Sequence, residues 1–379
     1  MTRVVITGRG AVSPFGVGVA PLWDGLVSGR SAVREIPRFV SAKLPVVAGG
    51  QVPLDAGDVG RDHVMSTLPI DEALAHANLT AAGCGLVWAN GLDTFAKDRD
   101  GALVERSAGA CFTQLARRFG RPRRMIGTAC ASATQALGEA FQLVRSGTMR
   151  ACVAGGATVM LTPHYALGFA WLQALAPHHP GDVAAAACKP FDRERSGFVL
   201  AEGGGALVLE ALDAALARGA RPIAELVGFG ASQDAFDLNR PPPDGAGAEL
   251  AMSRALADAH LGARAIGAVS AHGTGTRAGD PAEALALGRL FGDHRAAVTS
   301  IKGALGHCMA GAGALQAVAA VRTLETGIIP PTCNLVDPDD DCAADHVIGE
   351  ARRREVRAVL SNSFGMGGQN ATAIYARYA

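Results

Sequence analysis

The chain has 379 residues, 49% of them hydrophobic and 18% charged, which is ample material for a large core and too little charge for a disordered chain. Its 35 basic residues balance 35 acidic ones, and a net charge of zero excludes a general attraction to nucleic acid or to an anionic membrane surface. At roughly 150 residues per domain, the length allows two or three domains or one large domain of two similar parts.

At the start, the apolar stretch before Gly8 is too short for a secretory signal, and Val4 to Thr7 reads as a buried strand entering a glycine turn. Gly8-Arg9-Gly10 resembles the opening of a dinucleotide fingerprint, but position 13 is serine and Pro14 follows, so nucleotide binding is not expected. Leu22 to Val27 and Ile70 to Ala77 read as helices, and Ala131 to Arg145 as a longer one ended by Ser146-Gly147. Ala151 to Ala154 is an apolar strand running into Gly155-Gly156. Gly203-Gly204-Gly205 lacks the Lys-Ser/Thr of a phosphate loop, and a strand follows over Ala206 to Leu209. Leu212 to Ala217 is helical and Ile223 to Val227 a strand. Pro241-Pro242-Pro243-Asp244-Gly245 can only be a loop. Leu250 to His260 is a helix, Ala268 to Ala271 a strand, Pro281 to Phe291 a helix with Pro281 at its first position, and Val298 to Ile301 a strand. Ala312 to Thr326 is helical, and Val356 to Leu360 and Ala371 to Tyr375 close the chain as strands. Short unalternated apolar strands between helices predict an α/β fold with covered sheets. No window approaches a membrane span, and no repeat of solenoid length is visible.

Eight cysteines, at 84, 111, 130, 152, 188, 308, 333 and 342, form no C-x-x-C pair, so neither a zinc site nor a disulfide framework is expected. Cys130 stands apart, in Gly127-Thr128-Ala129-Cys130-Ala131-Ser132-Ala133, between an extended stretch and a helix. Free N–H groups and the positive helix end there predict a lowered thiol pKa and a nucleophile. Small neighbours leave room for an acyl group. His272 lies just past an apolar strand in Ala271-His272-Gly273-Thr274-Gly275-Thr276, ahead of Gly279-Asp280; its two threonine hydroxyls could hydrogen-bond an amide-bearing arm. The same plan returns in Ser300-Ile301-Lys302-Gly303-Ala304-Leu305-Gly306-His307. Asn362 to Gly368 is a glycine loop between strands, of the kind that aims N–H groups at an oxyanion.

One Cys, two His and a Lys, each in a glycine-lined strand-end turn, resemble the β-ketoacyl-acyl-carrier-protein synthases, the elongating ketosynthases of the thiolase superfamily. Val153-Ala154-Gly155-Gly156-Ala157, Phe191-Asp192-Arg193, Gly197-Phe198-Val199, Ala201-Glu202-Gly203 and Pro330-Pro331-Thr332-Cys333-Asn334-Leu335 extend the resemblance over nearly the whole chain. It implies a five-layer α-β-α-β-α fold of two similar halves, 1–222 with Cys130 and 223–379 with His272, Lys302 and His307. It implies a cytoplasmic setting, a dimer, substrates carried on the phosphopantetheine of an acyl carrier protein, and no cofactor or metal. Cys130 would take an acyl group as a thioester. Decarboxylation of a malonyl carrier protein would give an enolate, held by His272 and His307, that attacks it. Lys302 would orient His307; the N–H groups of Cys130 and Met366 would form the oxyanion hole; Thr274 and Thr276 would grip the pantetheine. Phe364 belongs to the same loop as Met366, and Asp280, Glu283 and Gln316 would support these groups from behind.

Three departures stand out. The stretch from Leu79 to Arg124 is short for the family. Met366 stands where a gating phenylalanine is usual, which predicts a looser gate and an unusual acyl group such as a polyene or aryl chain. Gln316 stands where the helix usually carries glutamate, which predicts a changed hold on Lys302. They leave a specialised type II ketosynthase of polyketide or aryl-polyene synthesis as one reading. They leave as others an active subunit paired with a chain-length-factor-like chain, a non-catalytic chain of that kind, and a decarboxylase that does not condense. A thiolase would need a second cysteine where Met366 stands.

Overall fold

The computed structural model describes residues 2–55, 60–97 and 102–378. The first half contributes strands β1 (Val4–Ser13), β2 (Gly85–Asn90), β3 (Arg123–Ile126), β4 (Ala151–Thr158) and β5 (Gly203–Ala211). The second contributes β6 (Ala224–Gln233), β7 (Ala268–Ser270), β8 (Ala297–Thr299), β9 (Ala358–Phe364) and β10 (Gln369–Ala376). The first set lies in the order β3-β2-β4-β5-β1 and the second in the order β8-β7-β9-β10-β6. Counted within each half these are the same order, with the same directions. The first three strands of each row are parallel, and the last two are added antiparallel. β1 and β6 join the two rows edge to edge at Val5–Glu225 and Ile6–Ala224.

The principal helices are α1 (Arg61–Ala77), α2 (Ala108–Ala116), α3 (Ser132–Arg145), α4 (Ala246–Ala259), α5 (Gly279–Phe291) and α6 (Met309–Thr326). α3 and α6 pack on each other and on strands of both rows. α1 and α2 cover the first row from outside, and α4 and α5 the second. The result is five layers, α-β-α-β-α. α6 is buried on almost every face, as a central helix must be, and its sequence of Ala, Gly, Val and Leu lacks the polar stripe of a surface helix. Among the described residues no helix is long and apolar enough to cross a membrane, and all eight cysteines are buried free thiols.

Several elements differ from the sequence reading. Gly8-Arg9-Gly10 is no turn: β1 continues through it to Ser13, with a register shift between Ile6 and Gly8. A Cβ at Gly8 would sit 2.1 Å from the carbonyl oxygen of Ala73, and one at Gly10 2.0 Å from that of Pro69, so these glycines let α1 lie directly on the strand. β4 and β5 likewise continue through their glycines. The helix expected from Ile70 begins at Arg61 and contains Pro69; burial of Met65, Ile70, Ala73 and Leu74 holds it together across that residue. Pro281 is the third residue of α5, which starts at Gly279. The Leu79–Arg124 stretch contains β2, a small hairpin (Thr94–Lys97 with Leu103–Arg106), α2 and the start of β3; its residues 98–101 lie outside the described residues.

Candidate active site

Cys130 sits in a single tight turn, Ala129–Ala131, between β3 and α3. Ala129 takes a left-handed backbone with φ of 48°, and Ser132 closes the turn by accepting from the Thr128 N–H at 2.8 Å and donating to the Ala129 carbonyl at 2.6 Å. Cys130 is 3% exposed and belongs to a buried apolar cluster with Phe198, Met309, Met160 and Leu161. Burial pushes its thiol up to about 11, while the Lys302 charge and the N–H groups of Met366 and Cys130 pull it back. The expected lowered pKa is therefore corrected: a helix start favours thiolate, but here the loss of water outweighs it. The Met366 and Cys130 N–H groups meet at the sulfur, where an oxyanion hole was expected.

His272 follows β7. Its N–H and that of Gly273 are both received by Glu283 of α5, at 2.8 Å each, and Asn362 Nδ2 donates to the same carboxylate at 3.0 Å. Asp280, one turn earlier, accepts from the N–H groups of Phe191, Thr274 and Gly275 at 2.7, 3.0 and 3.0 Å. Burial raises both carboxyls above the usual range, and these donors draw them back. The two acids thus bind the turn to α5. The Thr274 and Thr276 hydroxyls lie 3.0 Å apart and both line the cavity.

Lys302 and His307 come from the turn that follows β8. The His307 N–H donates to Val199 at 2.7 Å, and its carbonyl accepts from Ala201 at 3.0 Å. The Met309 N–H points at Nδ1 of His307 at 3.2 Å, so the proton of the neutral ring sits on Nε2. The rings of His272 and His307 are 5.4 Å apart at 82°; Phe198 stands edge-on to His307 at 5.4 Å, and Phe364 leans on His272 at 5.6 Å. Burial first, and the Lys302 charge second, hold both imidazoles well below their ordinary pKa. Lys302, expected to orient His307 and the local network, has its hydrogen bonds on the His272 side. It donates to the carbonyl of His272 and, at 3.0 Å, to Oε1 of Gln316.

These groups share one cavity of about 520 Å³, lined by Cys130, His272, Thr274, Thr276, His307 and Met366, among others. Phe364, the last residue of β9, and Met366, on the loop between β9 and β10, also line it. Sequence reasoning passed over Phe198, although Gly197-Phe198-Val199 was in view, and over the mouth residues Asp234, Asn239, Arg240 and Arg277. The triple-proline loop, read only as a loop, places Pro241 and Pro242 at that mouth. Among the described residues no group of His, Cys, Asp and Glu is arranged to hold a metal ion.

Two halves of identical strand order, with a thiol from one and two neutral imidazoles from the other at their junction, define a thiolase-like acyltransferase. Within that class the chain belongs to the β-ketoacyl synthase family: the family's N-terminal domain matches residues 1–76 and 106–215, and its C-terminal domain residues 223–336. The break between 76 and 106 falls in the stretch read as short. Among relatives, the 3-oxoacyl-[acyl-carrier-protein] synthase 2 of Synechocystis sp. is 34% identical over 99% of this chain and 98% of that protein. Its counterpart in Rhizobium meliloti is 35% identical over 100% and 99%. Of solved structures, a type II polyketide ketosynthase bound to a hexaketide, in complex with its acyl-carrier protein, superposes with a TM-score of 0.91 at 27% identity, covering 100% of both chains. The ishigamide ketosynthase/chain length factor gives 0.89 at 32%, again over 100% of both.

Proposed function

We propose that Cys130, His272 and His307 carry out the decarboxylative condensation of a β-ketoacyl-acyl-carrier-protein synthase. The observation that carries this reading is that one cavity holds the Cys130 sulfur and both imidazoles, with N–H groups of Cys130 and Met366 on the sulfur. In the first stage the sulfur of Cys130 attacks an acyl-carrier thioester, the carrier thiol leaves, and the acyl group stays on Cys130. In the second, a malonyl carrier thioester loses carbon dioxide. Its enolate oxygen receives the N–H of His307 Nε2 and faces His272; uncharged donors stabilise it without having to give up a proton. The enolate carbon attacks the Cys130 thioester, whose oxyanion meets the two backbone N–H groups, and expulsion of the Cys130 sulfur leaves a β-ketoacyl chain two carbons longer on the carrier. Thr274 and Thr276 would hold the pantetheine arm that brings either thioester in.

The carrier protein is the expected partner, and the exposed edge strand β3 is the place for a second copy or a ketosynthase-like chain. We place the division between the halves at 222/223, ahead of β6; the repeated strand order supports it. A chain-length-factor-like role without chemistry is disfavoured by the presence of Cys130. The test is intact-mass detection of acyl-Cys130 after incubation with acyl carrier protein, followed by product analysis with malonyl carrier protein. Acylation without extension would leave a transferase that does not condense, and no acylation would overturn the reading.

A further inference from the structure

We propose that Gln316 is a positioning residue of the condensing site: one buried amide ties Lys302, the strand end before His272 and the strand leading to the Phe364–Gly368 loop into a single uncharged junction. Gln316 is 0% exposed. Its Nε2 donates to the carbonyls of Asn362, Ala271 and Ser270 at 2.9, 3.0 and 3.2 Å, and its Oε1 accepts from Lys302 at 3.0 Å. Ser270 and Ala271 lead into His272, and Asn362 leads into the loop with Met366. One side chain on the central helix α6 therefore bonds to three of the four segments that carry Cys130, His272, Lys302 with His307, and Met366. The nitrogen half of the amide is essential to this. A carboxylate here would turn an oxygen without hydrogen toward three carbonyl oxygens, whereas the amide shares its two N–H bonds among them and still offers an oxygen to Lys302.

The consequence falls on Lys302. Its hydrogen-bond partners, the His272 carbonyl and the Gln316 amide, are both neutral. The ionisable groups around it are Glu283 of α5, the thiols of Cys130, Cys188 and Cys308, and the rings of His272 and His307. Glu283 is the acid among them, but its oxygens are taken by the N–H groups of His272 and Gly273 and by Asn362. Burial accordingly pushes the Lys302 ammonium down to about 8, with Glu283 opposing. Its charge helps keep both imidazoles neutral and draws the Cys130 thiol toward thiolate. Loss of that charge above pH 8 would weaken the site, and an acid at 316 would postpone the loss.

The rate readout of this inference rests on the condensing reading; its titration readout does not. The chain has four lysines, Lys43, Lys97, Lys189 and Lys302. Protein labelled with ¹³C at lysine Cε would give Lys302 as the signal shielded from a soluble paramagnetic agent. The expected result is a Lys302 midpoint near pH 8 in the native chain, well below the ordinary lysine value of about 10.4. In Gln316→Glu the midpoint should rise by about one unit or more, and the alkaline limb of the condensation rate should move up with it. A native Lys302 with a midpoint at the ordinary lysine value of about 10.4 overturns the proposal, as does a Gln316→Glu protein whose midpoint and limb both stay in place. If Gln316→Glu does not fold, Gln316→Met takes its place: it removes the oxygen that accepts from Lys302, so the Lys302 midpoint should fall further, and a midpoint that stays in place overturns the proposal. If the chain does not condense, the NMR midpoints still decide, and only the condensing reading falls.

Discussion

Cys130 and His272 face the same cavity from opposite halves of the chain, and the two halves seat them differently. Around Cys130 the walls are apolar, with Phe198, Met160, Leu161 and Met309, and the turn is closed locally by Ser132. Behind His272 the walls are polar and far-reaching: Glu283, Asn362, Gln316 and Lys302 form a buried web of hydrogen bonds linking α5, α6, β7 and β9. Cys130 is positioned by shape, in a pocket that raises its thiol. The imidazoles are positioned by hydrogen bonds, beside a cation that keeps them neutral. An apolar seat tolerates the loss of a polar atom, whereas a satisfied polar web does not, because each truncation strands a buried partner.

The sharpest way to break this contrast is Cys130→Ala. Elongation should fall to background, while thermal unfolding shifts by no more than about 1 kcal/mol, since one sulfur is removed from an apolar site. A large loss of stability would show that the turn depends on the sulfur. Next in size is His307→Ala, which removes the Nε2–H donor. Turnover should drop by about 10²–10³-fold with acylation of Cys130 largely retained, measured separately by intact mass and by product release. Equal loss of both stages would move His307 from the enolate to acyl transfer. On the polar side, Glu283→Ala should lower stability by several kcal/mol, at about 1–3 kcal/mol for each of the three buried donors it strands. Calorimetry that finds Glu283→Ala as stable as Cys130→Ala would erase the distinction between the two seats.

The two seats were unequally legible in the sequence. Cys130, His272, Lys302 and His307 could be found because each lies in a short run of glycine and small residues past an apolar strand, a local pattern. The web behind His272 was reachable only through the family resemblance, which implied supporting roles for Glu283 and Gln316; its actual bonds were not legible, because Gln316 spends its amide on backbone carbonyls 45 and 46 residues away, which no residue type announces. The thiol of Cys130 was misjudged for a related reason: a helix start can be read from sequence, but depth of burial cannot. Glycine served two purposes that look alike in sequence. At Gly8 and Gly10 it removes a side chain under a helix, and at Gly306, with φ of 79°, it turns the chain. β3 was read only as an unbounded extended stretch ahead of Cys130, because Arg123-Arg124-Met125-Ile126 is an exposed edge strand with no apolar run.

A smaller effect is set by pH. In the unfolded chain His272 and His307 would take up protons below about pH 6.5, whereas in the folded chain burial and Lys302 hold them neutral to much lower pH. The unfolded state therefore binds more protons from about 6.5 downward, and stability should fall as the solution is acidified, by at most about 1.4 kcal/mol per pH unit for each ring. Above that pH these rings contribute no slope. Denaturant unfolding from pH 7.5 to 5.5 should be flatter for a chain with both histidines replaced by asparagine. An unchanged slope would mean that other groups, such as the buried His346, govern the acid side.

The smallest expected effect tests the gate. Met366 packs partly buried against the cluster that contains Cys130 and Phe198, at the tip of a loop whose backbone has little freedom. The Gly367 N–H is held by the Leu238 carbonyl at 2.8 Å, and the Gly368 carbonyl accepts from the Asp234 N–H at 2.9 Å. A phenylalanine at 366 therefore could not be accommodated by moving the loop away; its ring would have to take space on the Cys130 side. Methionine can change rotamer to let a chain pass, whereas a ring that packs in one orientation cannot. Met366→Phe should thus slow bulky or rigid primers several-fold more than short saturated ones, read as the ratio of kcat/KM for the two classes. If the ratio stays the same, the side chain at 366 does not select the acyl group, and selection must lie in the apolar wall formed by Phe198, Met160 and Leu161 on the nucleophile's own half.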